Sequence, residues 1–149
     1  MSEHAASIHW QCDGQPFERD RYSRDHEWRF DGGQRIAASA APAYLGSESG
    51  VDPEEALVAA LSSCHMLTVL AIAAKKGWTV DAYEDEASGT LEKNAEGRLA
   101  VTRVVLRPRV AFAAGSPPDA QALRRLHEQA HAHCFIANSV RCEIAIEPR

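Results

Sequence analysis

The chain has 149 residues, 45% of them apolar, and a formal net charge of −5. This is the usual size of one globular domain, with enough apolar content for a core, which excludes wholesale disorder. There is no block of basic residues, so nucleic acid and anionic membrane are excluded as expected partners.

The opening stretch, "MSEHAASIHWQCDGQPFERD", is polar and acidic and lacks the charged start and apolar core of a secretory leader. The expected location is the cytoplasm, where structural disulfides are rare. The four cysteines are Cys12, Cys64, Cys134 and Cys142, and no two have CxxC spacing. They read as buried residues, ligands or reactive thiols rather than staples.

In chain order, "SIHWQC" (7–12) alternates like a strand. "HEWRFDGGQRIAAS" (26–39) predicts two strands around a Gly-Gly turn, and "APAYLGSESGVDP" (41–53) predicts a loop. A helix then opens at Asp52, which can cap it. Pro53 suits the first position, and Glu54 and Glu55 fall where the helix dipole favours negative charge. It runs to Lys75 and Lys76, and Gly77 stops it. At 1.5 Å per residue this helix is about 35 Å long. It is apolar on every face and as long as a membrane span, but Ser62, Ser63, Cys64, His65 and Thr68 interrupt it. A buried central helix is the preferred reading, covered by a sheet on one side and a second subunit on the other.

Residues 78–115 predict two long alternating strands joined by "NAEG". "SPPDAQALRRLHEQAHAHC" (116–134) predicts a second helix, capped by Ser116 with Asp119 completing a capping-box-like start. Leu123, Leu126, Ala130 and Cys134 form its apolar stripe. A last strand follows in "SVRCEIAIEPR", with Val140, Cys142, Ile144 and Ile146 on one face. With no repeat and no linker, the expectation is one α+β domain over residues 1–149.

Cys12 and Cys142 lie in strand-like segments and are expected to be small buried side chains. His127 and His131 match the pattern H-E-x-x-H, a spacing that can chelate zinc, with His133 close by. They lie off the apolar stripe and no third ligand is evident, so surface histidines and no bound metal are expected. Cys64 and Cys134 lie on apolar faces of two helices. Packing and chemistry both remain open for them.

A combination of motifs bears on that choice. "VDPEEALVAALSSCHML" resembles the central helix of the OsmC/Ohr family, the osmotically inducible and organic hydroperoxide resistance proteins. There a Pro-Glu pair is followed by a reactive cysteine, as Glu54 is by Cys64 ten residues on. "AHAHCFIANSVRCEI" resembles the family's second motif, A-H-x-x-C-P-x-S-N, with Cys134 and Asn138 in place. "YSRDHEWRFDGG" carries Arg24 near the position of the family's arginine, in an R-x-H-x-W form similar to one OsmC-like subgroup. Asp52, Phe135 and Ala137 stand where the family pattern has Asn, Pro and Ser.

The resemblance implies an intertwined homodimer in which long buried central helices are wrapped by antiparallel-rich β-sheets. It also implies thiol-dependent reduction of organic hydroperoxides to alcohols, with Cys64 and Cys134 as the redox pair and Arg24 and Glu54 as the electrostatic pair. No cofactor is implied, only an external dithiol reductant, a lipoylated protein by family expectation. Ten residues of helix span about 15 Å. Glu54 is therefore expected to approach Cys64 of the other subunit rather than its own, with Glu54 holding the Arg24 guanidinium in a fork-like salt bridge. Leu61, Met66, Leu67 and Phe135 are the candidate lining of an apolar substrate pocket. His65 points about 100° away from Cys64 on the helix and is expected to be structural.

Overall fold

The computed structural model describes residues 1–115 and 117–149. The chain divides into two compact units, residues 1–56 and 57–149.

In the first unit, β1 (Ala6–His9), β2 (His26–Phe30) and β3 (Arg35–Ala38) form one antiparallel sheet in that order. The expected hairpin is present. Gly33 N–H donates to the Phe30 carbonyl at 2.9 Å, and Phe30 N–H to the Gln34 carbonyl at 3.1 Å. β1 stops at His9, short of the expected strand, and the Trp10 indole donates to the Ser23 carbonyl at 2.8 Å. Cys12 is consequently exposed, not a buried filler; its thiol donates to the Gln15 carbonyl at 3.4 Å.

The segment after β3 is tied back to the sheet through Ser39, which is fully buried. Its hydroxyl donates to Asp25 Oδ1 at 2.8 Å and accepts from the Ser47 N–H at 2.9 Å. Ser39 and Val51 also pair through the backbone at 3.1 Å. This holds the chain where the long helix α1 (Pro53–Lys75) begins. Asp52 and Glu55 cap that helix reciprocally: Glu55 N–H donates to Asp52 Oδ1 at 2.8 Å, and Asp52 N–H to Glu55 Oε2 at 3.2 Å. Two otherwise orphaned donors are satisfied in this way.

In the second unit, α1 ends as expected. Gly77 is left-handed (φ 74°), Trp78 N–H reaches the Ala73 carbonyl and Gly77 N–H the Ala74 carbonyl, both at 3.0 Å. A side chain at Gly77 would be strained in that conformation.

The two long strands expected over residues 78–115 are four: β4 (Val80–Asp85), β5 (Ser88–Lys93), β6 (Leu99–Leu106) and β7 (Pro108–Phe112). β4 pairs with β7, while β5, β6 and β8 (Glu143–Ile146) form a second sheet in which β8 runs parallel to β6. Asp85 explains the break. One carboxylate oxygen accepts from the Arg107 N–H at 2.6 Å, and Pro108 has no N–H to continue a ladder. The "NAEG" turn is as expected, with Gly97 N–H on the Asn94 carbonyl at 2.9 Å.

The second helix, α2 (Ala120–His133), starts later than expected. Its cap is Asp119, whose carboxylate accepts from the Ala122 N–H at 2.7 Å; the expected cap, Ser116, lies outside the described residues. Pro117 and Pro118 favour extended backbone before that point.

Two apolar clusters hold this unit together. Leu61, Val104 and Leu106 pack with Val140, Cys142, Ile144 and Ile146; the last strand is shorter than expected, so only Ile144 and Ile146 of these lie in β8. Val69, Leu126 and Ala130 pack with Ile72, Trp78 and Tyr83. Only Leu61, His65, Val69 and Ala73, every fourth residue, are buried in the 23-residue α1. On another face Leu67 is 59% exposed. Among the described residues α1 is the one helix long and apolar enough to cross a membrane.

Candidate active site

Within the first unit, Arg24 and Glu54 line one cavity of about 570 Å³. β2 sets Arg24 just before its first residue, and the cap at Asp52 sets Glu54 in the first turn of α1. Trp10, Phe17, Tyr22 and Tyr44 line the same cavity and make it strongly apolar. The first three form a cluster, with ring centroids 5.8 Å (Trp10–Phe17), 6.3 Å (Trp10–Tyr22) and 5.1 Å (Phe17–Tyr22) apart. These aromatic residues are absent from the sequence expectation. Residues 10–22 lie in an irregular segment with no period to read.

The expected fork between Glu54 and Arg24 is not formed. The Arg24 guanidinium instead donates to the Tyr22 carbonyl at 2.5 Å and the Arg19 carbonyl at 2.6 Å, and lies 4.0 Å from the Tyr22 ring centroid. Carbonyls of its own loop are the nearest acceptors, and cation–π contact with Tyr22 adds to their hold.

Within the second unit, Cys64 and Cys134 are free thiols close enough for Cys64 to act on the titration of Cys134. α1 carries Cys64, partly buried. Cys134 caps the C-terminal end of α2, its N–H on the His131 carbonyl at 3.2 Å, and is 1% exposed. Burial pushes the Cys134 thiol up from its ordinary value, and the neighbouring Cys64 pushes it the same way. The Ala137 N–H, 3.4 Å from Sγ, opposes both.

The same two helices hold a histidine pair, His65 directly after Cys64 and His127 about two turns before Cys134. His65 Nε2 and His127 Nδ1 are 3.0 Å apart, with the rings 10° from parallel, and both residues are buried. His127 was expected in solvent beside His131; it is buried and paired with His65 instead. A polar residue buried against a polar partner leaves no mark in an apolar pattern. Desolvation brings His65 down to about 4, with His127 and then His131 adding to it; burial also lowers His127, against the pull of Asp85.

The four lining candidates scatter. Leu61 is committed to the core, Met66 is partly buried, and Leu67 and Phe135 are exposed, Phe135 by 81%.

A mixed α+β chain with a thiol on a long apolar helix facing a second thiol at the end of a shorter one is the class of protein the sequence resemblance anticipates. The OsmC-like protein family profile matches residues 46–149. The solved structure of the OsmC-like protein of unknown function VCA0330 from Vibrio cholerae has 51% sequence identity to this chain. It superimposes with a TM-score of 0.96 over 100% of both chains. The organic hydroperoxide resistance protein OhrB of Bacillus subtilis shares the fold, with a TM-score of 0.72 over 99% of this chain and 98% of that one, at 16% identity. The uncharacterized protein YmaD of Bacillus subtilis is 21% identical over 127 residues, 84% of either chain. The chain belongs to the OsmC-like protein family.

Proposed function

We propose that the protein is a cysteine-based peroxidase that reduces organic hydroperoxides to alcohols in the cytoplasm, as a homodimer. The observation that carries this reading is the proximity of the free thiols of Cys64 and Cys134. The apolar cavity carrying Arg24 and Glu54 supports it, as do the structural neighbours described as organic hydroperoxide resistance proteins. Leu67 and the uncovered face of α1 support the dimer. In that dimer the thiol pair of one subunit would meet Arg24 and Glu54 of the other, since Glu54 and Cys64 are separated by about 15 Å of continuous helix. Lining roles for Met66, Leu67 and Phe135 would arise at the same interface; Leu61 remains in the core.

The chemistry balances as follows. The Cys64 thiolate attacks one peroxide oxygen, the O–O bond breaks, and the alkoxide leaves and takes up a proton to become the alcohol. Arg24, with donors beyond the two spent on its loop, stabilises the departing charge. Cys64 is then a sulfenic acid. Cys134 attacks its sulfur, water leaves, and a Cys64–Cys134 disulfide forms, which an external dithiol such as a lipoylated protein reduces. No cofactor is required.

The deciding measurement is consumption of cumene hydroperoxide in the presence of dihydrolipoamide. Steady turnover by wild type is expected, and no peroxide-dependent loss of thiol would overturn the reading. The second reading is a non-catalytic redox sensor or binder of small apolar ligands, favoured by the aromatic lining of the cavity. It predicts ligand binding unaffected by Cys64→Ser and no turnover.

A further inference from the structure

The R-x-H-x-W spacing places Arg24 two residues before His26, the first residue of β2, and Trp28 two residues into that strand, where alternate residues share a face. The three are joined by hydrogen bonds. His26 Nδ1 lies 2.8 Å from the Arg24 carbonyl oxygen, and the Trp28 indole N–H donates to His26 Nε2 at 2.8 Å.

These two contacts determine the state of the imidazole. A carbonyl oxygen can only accept, so Nδ1 carries the proton. An indole N–H can only donate, so Nε2 offers its lone pair. The two contacts match the Nδ1–H tautomer, with the Nε2 lone pair facing the indole N–H. With both ring nitrogens occupied, His26 has no free site to give or take a proton, although it lines the same cavity as Arg24. What it can do is fix the main chain from which the guanidinium departs. The side chain of Arg24 is held separately by the Tyr22 and Arg19 carbonyls, and the next residue, Asp25, is held by buried Ser39.

We infer that His26 is a positioning residue for Arg24, its tautomer selected by Trp28, so that the R-x-H-x-W row acts as one device for aiming the guanidinium. This rests on the role given to Arg24 in the peroxidase reading. It assigns no bond-making step to His26, and it gives Trp28 a task beyond packing.

The test is a double-mutant cycle read on the rate of Cys64 oxidation by cumene hydroperoxide. His26→Ala is expected to slow oxidation roughly ten- to a hundredfold, the range that small misplacements of a catalytic group produce. In an Arg24→Ala background it should have no further effect. His26→Asn, which can still donate to the Arg24 carbonyl, should recover most of the rate. An equal loss from His26→Ala in both backgrounds overturns the proposal. Two readouts do not need turnover. Long-range proton–nitrogen spectra should show the Nδ1–H tautomer in wild type and a mixture in Trp28→Phe. Phenylglyoxal should modify Arg24 faster in His26→Ala. If wild type consumes no peroxide, the peroxidase reading falls while these two still decide the role of His26: an unchanged tautomer in Trp28→Phe, or unchanged labelling of Arg24, overturns it.

Discussion

His65 Nε2 and His127 Nδ1 meet at 3.0 Å inside the seam between α1 and α2. Their outer nitrogens, His65 Nδ1 and His127 Nε2, find no partner among the described residues. One N–H bridges the two neutral rings, and a charge on either would be desolvated. Folded His65 titrates near 4, below the ordinary 6.5, and His127 moves in the same direction. When the folded value is the lower one, the unfolded chain binds more protons as pH falls through about 6.5. Stability is therefore full above that pH and lost between about 6.5 and 4. The loss from His65 alone is of order 3 kcal/mol at the acid end. Urea denaturation from pH 7.5 to 4.5 should show the decline, and a His65→Leu/His127→Leu double variant should flatten it. An unchanged slope in that variant would place the acid sensitivity elsewhere.

Cys64→Ser is expected to abolish peroxide turnover. Cys134→Ser should leave a sulfenic acid on Cys64 that dimedone traps after one equivalent of peroxide. Because burial and Cys64 raise Cys134, it is a poor thiolate near neutrality. Disulfide formation should therefore accelerate as pH rises from 7 to 9, measured by quenched-flow alkylation. Accelerated disulfide formation on lowering the pH would contradict the assignment of Cys134 as the attacking thiol.

Leu67 is 59% exposed on the most apolar element of the chain. In the proposed dimer, Leu67→Glu would bring like charge into the contact, which costs several kcal/mol. Sedimentation equilibrium should show association weakened by about a hundredfold or more, with peroxide turnover falling in parallel. A monomeric wild type would dispose of the dimer.

Two substitutions test packing and capping separately. Asp52→Ala removes the acceptor for the Glu55 N–H and should cost about 1 kcal/mol. Leu126→Ala leaves a cavity between Val69 and Ala130 and should cost about 2–5 kcal/mol. Thermal unfolding that ranks them in the reverse order would mean that the start of α1 carries more of the stability than the α2 seam.

The extent of α1 was legible because its signals are local: Asp52 and Glu55 at one end, Gly77 at the other, and uninterrupted apolar character between. The stripe Leu126–Ala130–Cys134 was legible for the same reason, since period alone reveals it. His127 was not, because its burial depends on His65, sixty-two residues away. The fracture of the long strands was equally hidden. Pro108 hinted at it, but the Asp85 carboxylate that holds the corner has an ordinary strand-position spacing. Of the candidate site, Cys64 lies near Cys134, and Arg24 and Glu54 line one cavity without pairing. The partner of the Arg24 guanidinium was missed, because backbone carbonyls carry no residue code.

Asp85 carries a second bond besides the one at the strand corner: its other oxygen accepts the Ser62 hydroxyl at 2.5 Å. A single side chain thus pins α1 to the edge of β4 two residues before Cys64. The helix cannot slide or roll along the sheet without releasing that hydroxyl. The height of the thiol above the sheet is accordingly set by a polar rivet, where apolar packing alone would tolerate slippage by a turn.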